Sequence, residues 1–324
     1  MTLSGFAGAS DTGKKRRRNE DAYVVAPPLF AVADGMGGAQ AGEVASKLAA
    51  AALEDTDSGG LSGAERVTTL IQEANRRVYE RSNADPSASG MGTTMTVALV
   101  EGGVVTFGHV GDSRAYLVRD GGMEQLTEDH SLVNELLKSG KLSAEEAETH
   151  PQRSVITRAV GTDPDVDVES FTVDAHVGDV FLICSDGLTD MVADEDILAV
   201  VDRHHDDLDR ATKALLSAAN RGGGVDNITV VAFSIGADGD ETATLPAARD
   251  ADADTLHGIP TETVDTMVVP PDQVEDVLLE PGSPEALAAV KREPISTAAR
   301  VRLVLTMLAL LALAAVLLIW GLLR

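Results

Sequence analysis

Several short apolar runs in this chain end in aspartate, mostly beside glycine, and no other feature limits its fold as strongly. Asn19-Glu20-Asp21, Asp34-Gly35-Met36-Gly37-Gly38, Gly111-Asp112-Ser113-Arg114, Ser185-Asp186-Gly187 and Asp226-Asn227 are scattered between residues 19 and 227. A strand that stops in Asp at a glycine turn delivers its carboxylate to the rim of a sheet, so several such strands gather carboxylates at one rim. A lone Asp-Gly pair is more often a plain turn, and only the set points to a site. Hard oxygen ligands favour Mg²⁺ or Mn²⁺ over zinc. Two such ions about 3.5–4 Å apart form a device for hydrolysing phosphate esters.

With 324 residues, 44% of them hydrophobic, the chain can bury one large core or two modest ones. A formal charge of −26 argues against nucleic acid as a partner, because its phosphates would be repelled. Cys184 is the single cysteine, which excludes an intramolecular disulfide and a cysteine-only metal cluster. It ends the run Val180-Phe181-Leu182-Ile183-Cys184 and reads as a core thiol. A cysteine-dependent phosphatase would need an arginine six residues later, where this chain has Asp190.

Residues 1–236 read as a globular domain. β-Branched runs predict strands at Ala22–Val25, Leu29–Ala33, Thr94–Val100, Val104–Val110, Arg114–Val118, Val180–Cys184 and Asn227–Ser234. Helices are expected over Gly42–Leu53, with Val44, Leu48 and Ala52 on one face, and over Ala64–Ser82, with Val67, Leu70, Ile71, Ala74 and Val78 inward. A third is expected over Leu208–Arg221. The segment Val104–Val118 reads as an antiparallel hairpin turning at Gly111-Asp112. Mostly antiparallel strands with long helices predict a layered α+β domain whose helices cover its sheets. Asp129–Ser139 looks helical, whereas the polar stretch Lys141–Thr162 reads either as a substrate flap over one rim or as an irregular surface insertion.

Beyond Gly236 the pattern dissolves. Between Gly236 and Val290 there are thirteen acidic residues against the single Arg249, with no aromatics, so residues 237–300 are expected to form a disordered linker. Residues 301–323 read as a transmembrane helix, because Leu303–Leu323 is uncharged and at about 1.5 Å per residue matches a bilayer core. Lys291, Arg292, Arg300 and Arg302 precede it and only Arg324 follows, so the positive-inside rule predicts a single-pass cell-membrane protein with its N-terminal domain in the cytoplasm.

Arg16-x-x-Asn19-Glu20-Asp21-Ala22, Asp34-Gly35-Met36-Gly37-Gly38, Gly92-Thr93-Thr94, Gly108-x-x-Gly111-Asp112-Ser113-Arg114, Ser185-Asp186-Gly187-Leu188 and Asp226-Asn227-Ile228-Thr229 together resemble the metal-dependent protein phosphatase (PPM, PP2C-like) family of serine/threonine phosphatases. The motifs stand in family order across nearly all of residues 1–236. The resemblance implies a four-layer α-β-β-α sandwich and hydrolysis of phosphoserine and phosphothreonine by a water activated between two Mn²⁺ or Mg²⁺ ions. Asp34 would bridge the two ions with the Gly35 carbonyl as a further ligand, and Asp186 and Asp226 would complete the ligand set of the first ion. Asp21, or Glu20 through water, would face the second ion. Asp112 would join Asp186 at a third, weaker ion, with Asp190 as a further ligand there or else a helix-capping carboxylate.

Arg16 is the position expected to grip phosphate, although Lys14-Lys15-Arg16-Arg17-Arg18 leaves neighbouring residues open. Met36 stands where some relatives carry a histidine that protonates the leaving group, which a thioether cannot do. His109 reads as a core or rim residue, and His130 and His150 remain candidates near the flap. The anchored layout resembles bacterial members that oppose membrane serine/threonine kinases, so phosphorylated proteins, such kinases among them, are the expected partners. The alternatives are a catalytically silent, membrane-tethered module that binds phosphoproteins, and a hydrolase of another phosphate ester. No first-shell carboxylate is missing, and basic–aromatic interleaving suited to polynucleotides is absent.

Overall fold

The computed structural model describes residues 1–37, 41–56, 59–148, 150–237 and 267–268. The chain runs through strands β1 (Thr2–Asp11), β2 (Asp21–Ala26) and β3 (Leu29–Met36), then helices α1 (Ala41–Asp55) and α2 (Gly63–Ala84). Strands β4 (Gly92–Thr93), β5 (Met95–Glu101), β6 (Val104–Val110), β7 (Arg114–Arg119) and β8 (Gly122–Gln125) follow. Next come helices α3 (Leu132–Lys138) and α4 (Ala144–Glu148) and strands β9 (Val155–Ile156), β10 (Glu169–Asp174) and β11 (Val180–Cys184). Helices α5 (Asp186–Thr189), α6 (Asp194–Arg203) and α7 (Leu208–Gly222) precede β12 (Ile228–Gly236) and a short β13 (Met267–Val268).

Two antiparallel sheets form. One has the order β1-β12-β11-β7-β8 and the other β10-β6-β5-β3-β2, with β4 added beside β3. Three apolar clusters explain the layering. Phe30, Val32, Phe107, Leu117, Phe181, Ile183, Val231 and Phe233 meet between the sheets. Ala31, Ala33, Val97 and Leu99 turn the opposite way, toward α1 and α2. On the far side α6 and α7 cover Tyr116, Leu182, Val230 and Ala232. Strands buried on both faces read as near-continuous apolar runs, which is why β3, β11 and β12 were legible. Phe233 of one sheet stacks on Phe30 of the other at 4.4 Å, and Phe107 meets Phe181 across the sheets at 5.9 Å, so aromatic contacts bolt the sandwich together.

Two expectations are corrected. Val104–Val118 is not a hairpin: β6 pairs with β5 and β10, whereas β7 pairs with β11 and β8 in the other sheet. Gly111-Asp112-Ser113 therefore carries the chain across the sandwich. The inward face of α1 is also different, being built from Ala41, Ala45, Ala49 and Ala52, while Val44 is 36% exposed. Methyl side chains let the helix lie close to β3, which a row of larger residues would prevent.

No helix among the described residues is long and apolar enough to cross a membrane. The run Leu303–Leu323 and nearly all of the expected linker lie outside the described residues, apart from Met267–Val268.

The corrected face of α1 predicts that Ala49→Leu destabilises the domain by about 1–3 kcal/mol through overpacking, while Val44→Leu stays within about 0.5 kcal/mol. Urea unfolding of the two variants measures the difference. Equal losses would return Val44 to the inner face.

Candidate metal centre

The register of β2 and β3 sets Asp21 directly opposite Asp34. Asp34 is fixed through its backbone. Its N–H donates to Thr94 Oγ1 at 2.9 Å, and its carbonyl accepts from Thr94 N–H and Thr93 Oγ1, each at 2.8 Å. Thr94 Oγ1 also meets Ser113 Oγ at 2.8 Å, which ties Asp34 to the crossing segment that bears Asp112. Gly35 has no room for a side chain, since a Cβ there would lie 2.1 Å from the Gly42 carbonyl oxygen and 2.5 Å from that of Glu20.

The other sheet supplies Asp186 and Asp226. Asp186 opens α5 directly after β11, and Asp226 lies just before β12. A Cβ at Gly187 would come within 1.9 Å of the Asn227 carbonyl oxygen, so glycine lets these two segments touch. Asn227 organises the basic loop. Its Oδ1 accepts from Glu20 N–H at 2.8 Å, and its Nδ2 donates to the carbonyls of Thr12 and Arg18 at 3.0 and 2.9 Å. Asp21 is buried, and one carboxylate oxygen accepts from Thr229 Oγ1 at 2.6 Å and Ser185 Oγ at 2.9 Å.

Arg16 Nη2 lies 2.8 Å from Asp226 Oδ2, whereas Arg17 is exposed and Arg18 pairs with Glu43 at 3.5 Å. Within the basic run it is thus Arg16 that faces the carboxylates. Burial opposes its charge, but Asp226, with smaller help from Asp34 and Glu20, raises its pKa overall. Glu20 holds its place through its main chain, with its carbonyl accepting from Gly35 N–H at 3.2 Å.

The carboxylates feel one another. Exclusion from water, then Asp21, Asp186, Asp226 and Asp112, pushes the Asp34 pKa well up. Exclusion from water and then Asp112, Asp226, Asp190 and Asp21 do the same to Asp186. Burial lifts Asp21 to about 6, and burial with the nearby Asp129 charge lifts Asp112 to about 7. One oxygen of Asp21 and one of Asp186 are buried without a hydrogen-bond partner. Concentrated, partly unsatisfied negative charge of this kind fits hard divalent cations. The side chains do not close on one point as they stand: among the described residues no group of three or more ligating side chains forms a ready coordination cage.

Asp112, Asp186 and Asp190 open onto a cavity of about 770 Å³ that Arg114, Arg153 and Ser154 also line. Asp190 does not cap a helix with its carboxylate, which lies 3.9 Å from Arg153 Nη2, while Ala193 occupies the start of α6. His109 is fully buried, and burial lowers its pKa to about 4. His130 is likewise lowered to about 4, by burial and then by Arg158 and Lys138, and its Nδ1 accepts from Gly111 N–H at 3.1 Å. His150 braces a turn, its Nδ1 accepting from Gln152 N–H at 3.2 Å. Met36 is buried against Ile156 and Ala159, so it joins the metal-side strand to the flap. Thr94, Ser185, Thr229 and Asn227 hold the acidic residues in place. The sequence marked them only as members of motifs.

The model for the family described as protein phosphatase 2C matches residues 13–220. Serine/threonine protein phosphatase PstP of Mycobacterium tuberculosis is 40% identical over 232 residues, which is 71% of this chain and 45% of that protein; the chain thus spans about half of that relative. Serine/threonine phosphatase stp of Listeria innocua is 39% identical over 233 residues, covering 68% of this chain and 92% of the relative. A crystal structure of the M. tuberculosis PstP/Ppp phosphatase superposes with a TM-score of 0.69 at 39% identity, covering 73% of this chain and all of that one. The PstP catalytic domain in complex with two manganese ions gives a TM-score of 0.65 at 37% identity, covering 72% of this chain and 98% of that one. The chain belongs to the protein phosphatase 2C family.

The raised carboxylates predict how stability of the metal-free protein depends on pH. Asp112 holds its proton up to about pH 7 when folded, whereas an unfolded aspartate releases it near about 3.9. The folded state therefore binds the extra proton across that window, and this group costs stability as pH rises through it. The lowered histidines act in the opposite sense between about pH 4 and 6.5, but they are common to wild type and variant. Asp112→Asn should thus raise the melting temperature in EDTA by little near pH 4 and by progressively more up to pH 7, then level off. Thermal melts of both proteins across that range decide it, and a constant difference would refute the shift.

Proposed function

We propose that this chain is a metal-dependent protein-serine/threonine phosphatase that cleaves phosphoserine and phosphothreonine monoesters in proteins. The observation that carries the reading is the meeting of Asp21, Asp34, Asp112 and Asp186, two of them with unpartnered buried oxygens, beside Arg16 in a protein phosphatase 2C domain. Two Mn²⁺ or Mg²⁺ ions suit this donor set, in keeping with the manganese complex of the PstP relative. Asp34, the Gly35 carbonyl, Asp186 and Asp226 would hold them together with Asp21, or Glu20 through water, and Asp112 with Asp190 would serve a weaker third. When bound, the ions supply an activated water and offset the charge of the phosphoryl group.

The chain's own residues do the rest. Thr93 and Thr94 fix Asp34 through its backbone, so its carboxylate meets the reacting group without searching for position. Ser185 and Thr229 restrain Asp21. Arg16 presents a planar fork that exchanges Asp226 for a phosphate oxygen pair once cations neutralise that carboxylate. The buried Met36 thioether has no proton to give, so another group must supply the proton that the leaving alkoxide takes up.

The uncharged run Leu303–Leu323 with its basic flank supports anchorage in the cell membrane, with the catalytic domain on the cytoplasmic side. Membrane-bound serine/threonine kinases are then natural substrates among phosphorylated proteins, since tethering to one surface raises the effective concentration. The acidic surface disfavours nucleic acid.

Asp34→Ala and Asp226→Ala should each abolish turnover of a phosphothreonine peptide while the domain keeps its fold by circular dichroism. A variant keeping a tenth of the wild-type rate at saturating Mn²⁺ would sink the assignment. Arg16→Ala should lower kcat/KM roughly ten- to a hundred-fold, the equivalent of a lost charge-assisted pair of about 1.5–3 kcal/mol, with Mn²⁺ affinity by calorimetry not weakened. Arg17→Ala should have little effect, and a reversed order would move the phosphate grip to the neighbouring residue.

A further inference from the structure

Within the acidic stretch after Gly236, Met267–Val268 pairs in parallel with β9, Met267 opposite Val155 and Val268 opposite Ile156. The other edge of β9 is already used. Ile156 bridges antiparallel to Ser131, and Thr157 N–H donates to the His130 carbonyl at 2.8 Å. The edge that receives β13 is therefore the open edge of the flap strand, the kind of edge that accepts further polypeptide through main-chain hydrogen bonds.

This edge is wired to the carboxylates from two directions. Ile156 packs with Met36, two residues after Asp34. His130, which receives the Thr157 amide, donates its own N–H to the Gly111 carbonyl at 2.8 Å and accepts from Gly111 N–H, next to Asp112. Arg153 and Ser154, immediately before Val155, line the same cavity as Asp112, Asp186 and Asp190. A strand added to β9 therefore lies beside residues that line the cavity onto which Asp112, Asp186 and Asp190 open.

The composition of the added strand suits it to this place. Thr266-Met267-Val268-Val269 is uncharged and largely β-branched within an otherwise acidic stretch. Pro270-Pro271 follows in the sequence, and proline has no N–H to donate to a ladder. A pairing this short is weak between separate molecules. Joined to β12 within one chain it acts at an effective concentration of up to roughly the millimolar range, enough to occupy the edge and still yield to a better strand.

We propose that the open edge of β9 is a strand-addition site for the polypeptide around a phosphorylated residue, and that Met267–Val268 is its resident occupant, a competitor in cis. The proposal rests on the phosphatase reading above and names the polypeptide contact of that same site. Release of the segment would open the enzyme to extended phosphoprotein substrates and leave small phosphate esters, which need no strand, indifferent.

The test uses the whole chain and its Met267→Pro variant in detergent with saturating Mn²⁺, since the parallel register turns the Met267 N–H toward β9 and proline removes that donor outside the sandwich. Amide hydrogen exchange at Ile156 should quicken several-fold in the variant. KM for a fifteen-residue phosphothreonine peptide should fall several-fold, with kcat/KM for p-nitrophenyl phosphate unchanged. Unchanged exchange at Ile156 would remove the strand, and faster exchange with an unchanged peptide KM would remove the competition. Failure of the wild type to turn over either substrate would instead count against the phosphatase reading, leaving the exchange result to stand by itself.

Discussion

Mutual repulsion among carboxylates governs the organisation of this protein. Asp21, Asp34, Asp112, Asp186 and Asp226 come from both sheets, and each charge raises the cost of the next. Two like charges 4 Å apart cost about 4 kcal/mol at an effective dielectric of about 20, so such a cluster disperses unless the backbone forbids it. The backbone does forbid it. Thr93 and Thr94 clamp Asp34, the Ser185 and Thr229 hydroxyls hold Asp21, and Asn227 fastens the loop from Thr12 to Glu20. Behind these braces Phe233 on Phe30 and Phe107 against Phe181 keep the sheets from sliding apart. The aromatic core thus opposes, at a distance, a repulsion generated at the rim.

The legible part of the sequence was the part in which one residue has one meaning. An apolar run beside an Asp reads the same in any context, so the strands that end near Asp34, Asp112 and Asp186, and the one that begins after Asp226, are located to within a few residues. Features set by the surroundings were not found. Gly111-Asp112 looks alike whether it closes a hairpin or crosses between sheets, because the choice depends on which partner strand is free. The inner face of α1 was misjudged because valine and leucine looked more core-like than alanine, yet the short distance to β3 selects the smaller side chain. β1 escaped notice because Ser4-Gly5-Phe6-Ala7-Gly8-Ala9 is nearly free of β-branched residues, and its strand form depends on pairing with β12.

Met36 shows how an apparent defect can carry a different load. A thioether has no acid to offer a leaving group, but Met36 fills the joint between Ile156 and Ala159 of the flap and the strand that carries Asp34. His130 makes a second joint, from the flap to the Asp112 turn. The cavity therefore has walls that are mechanically continuous with the carboxylates. A side chain entering it meets residues whose positions are correlated with the acidic centre.

The pairing of β1 with β12, Thr2 opposite Gly236, has a consequence for how the molecule is made. Strand β1 leaves the ribosome long before β12, the neighbour it pairs with. Until β12 emerges, β11 lacks its inner neighbour, Phe30 lacks the ring that stacks on it, and Asp226 has not yet been delivered beside Arg16. Contacts of such sequence separation close slowly, so the nascent chain can present Asp21 and Asp34 well before their counterparts from the other sheet exist. Completion of the acidic centre is thus a late event of synthesis, timed by β12, and a ribosome that stalls just before residue 226 leaves Asp21, Asp34, Asp112 and Asp186 without Asp226 and without the strand that carries Thr229.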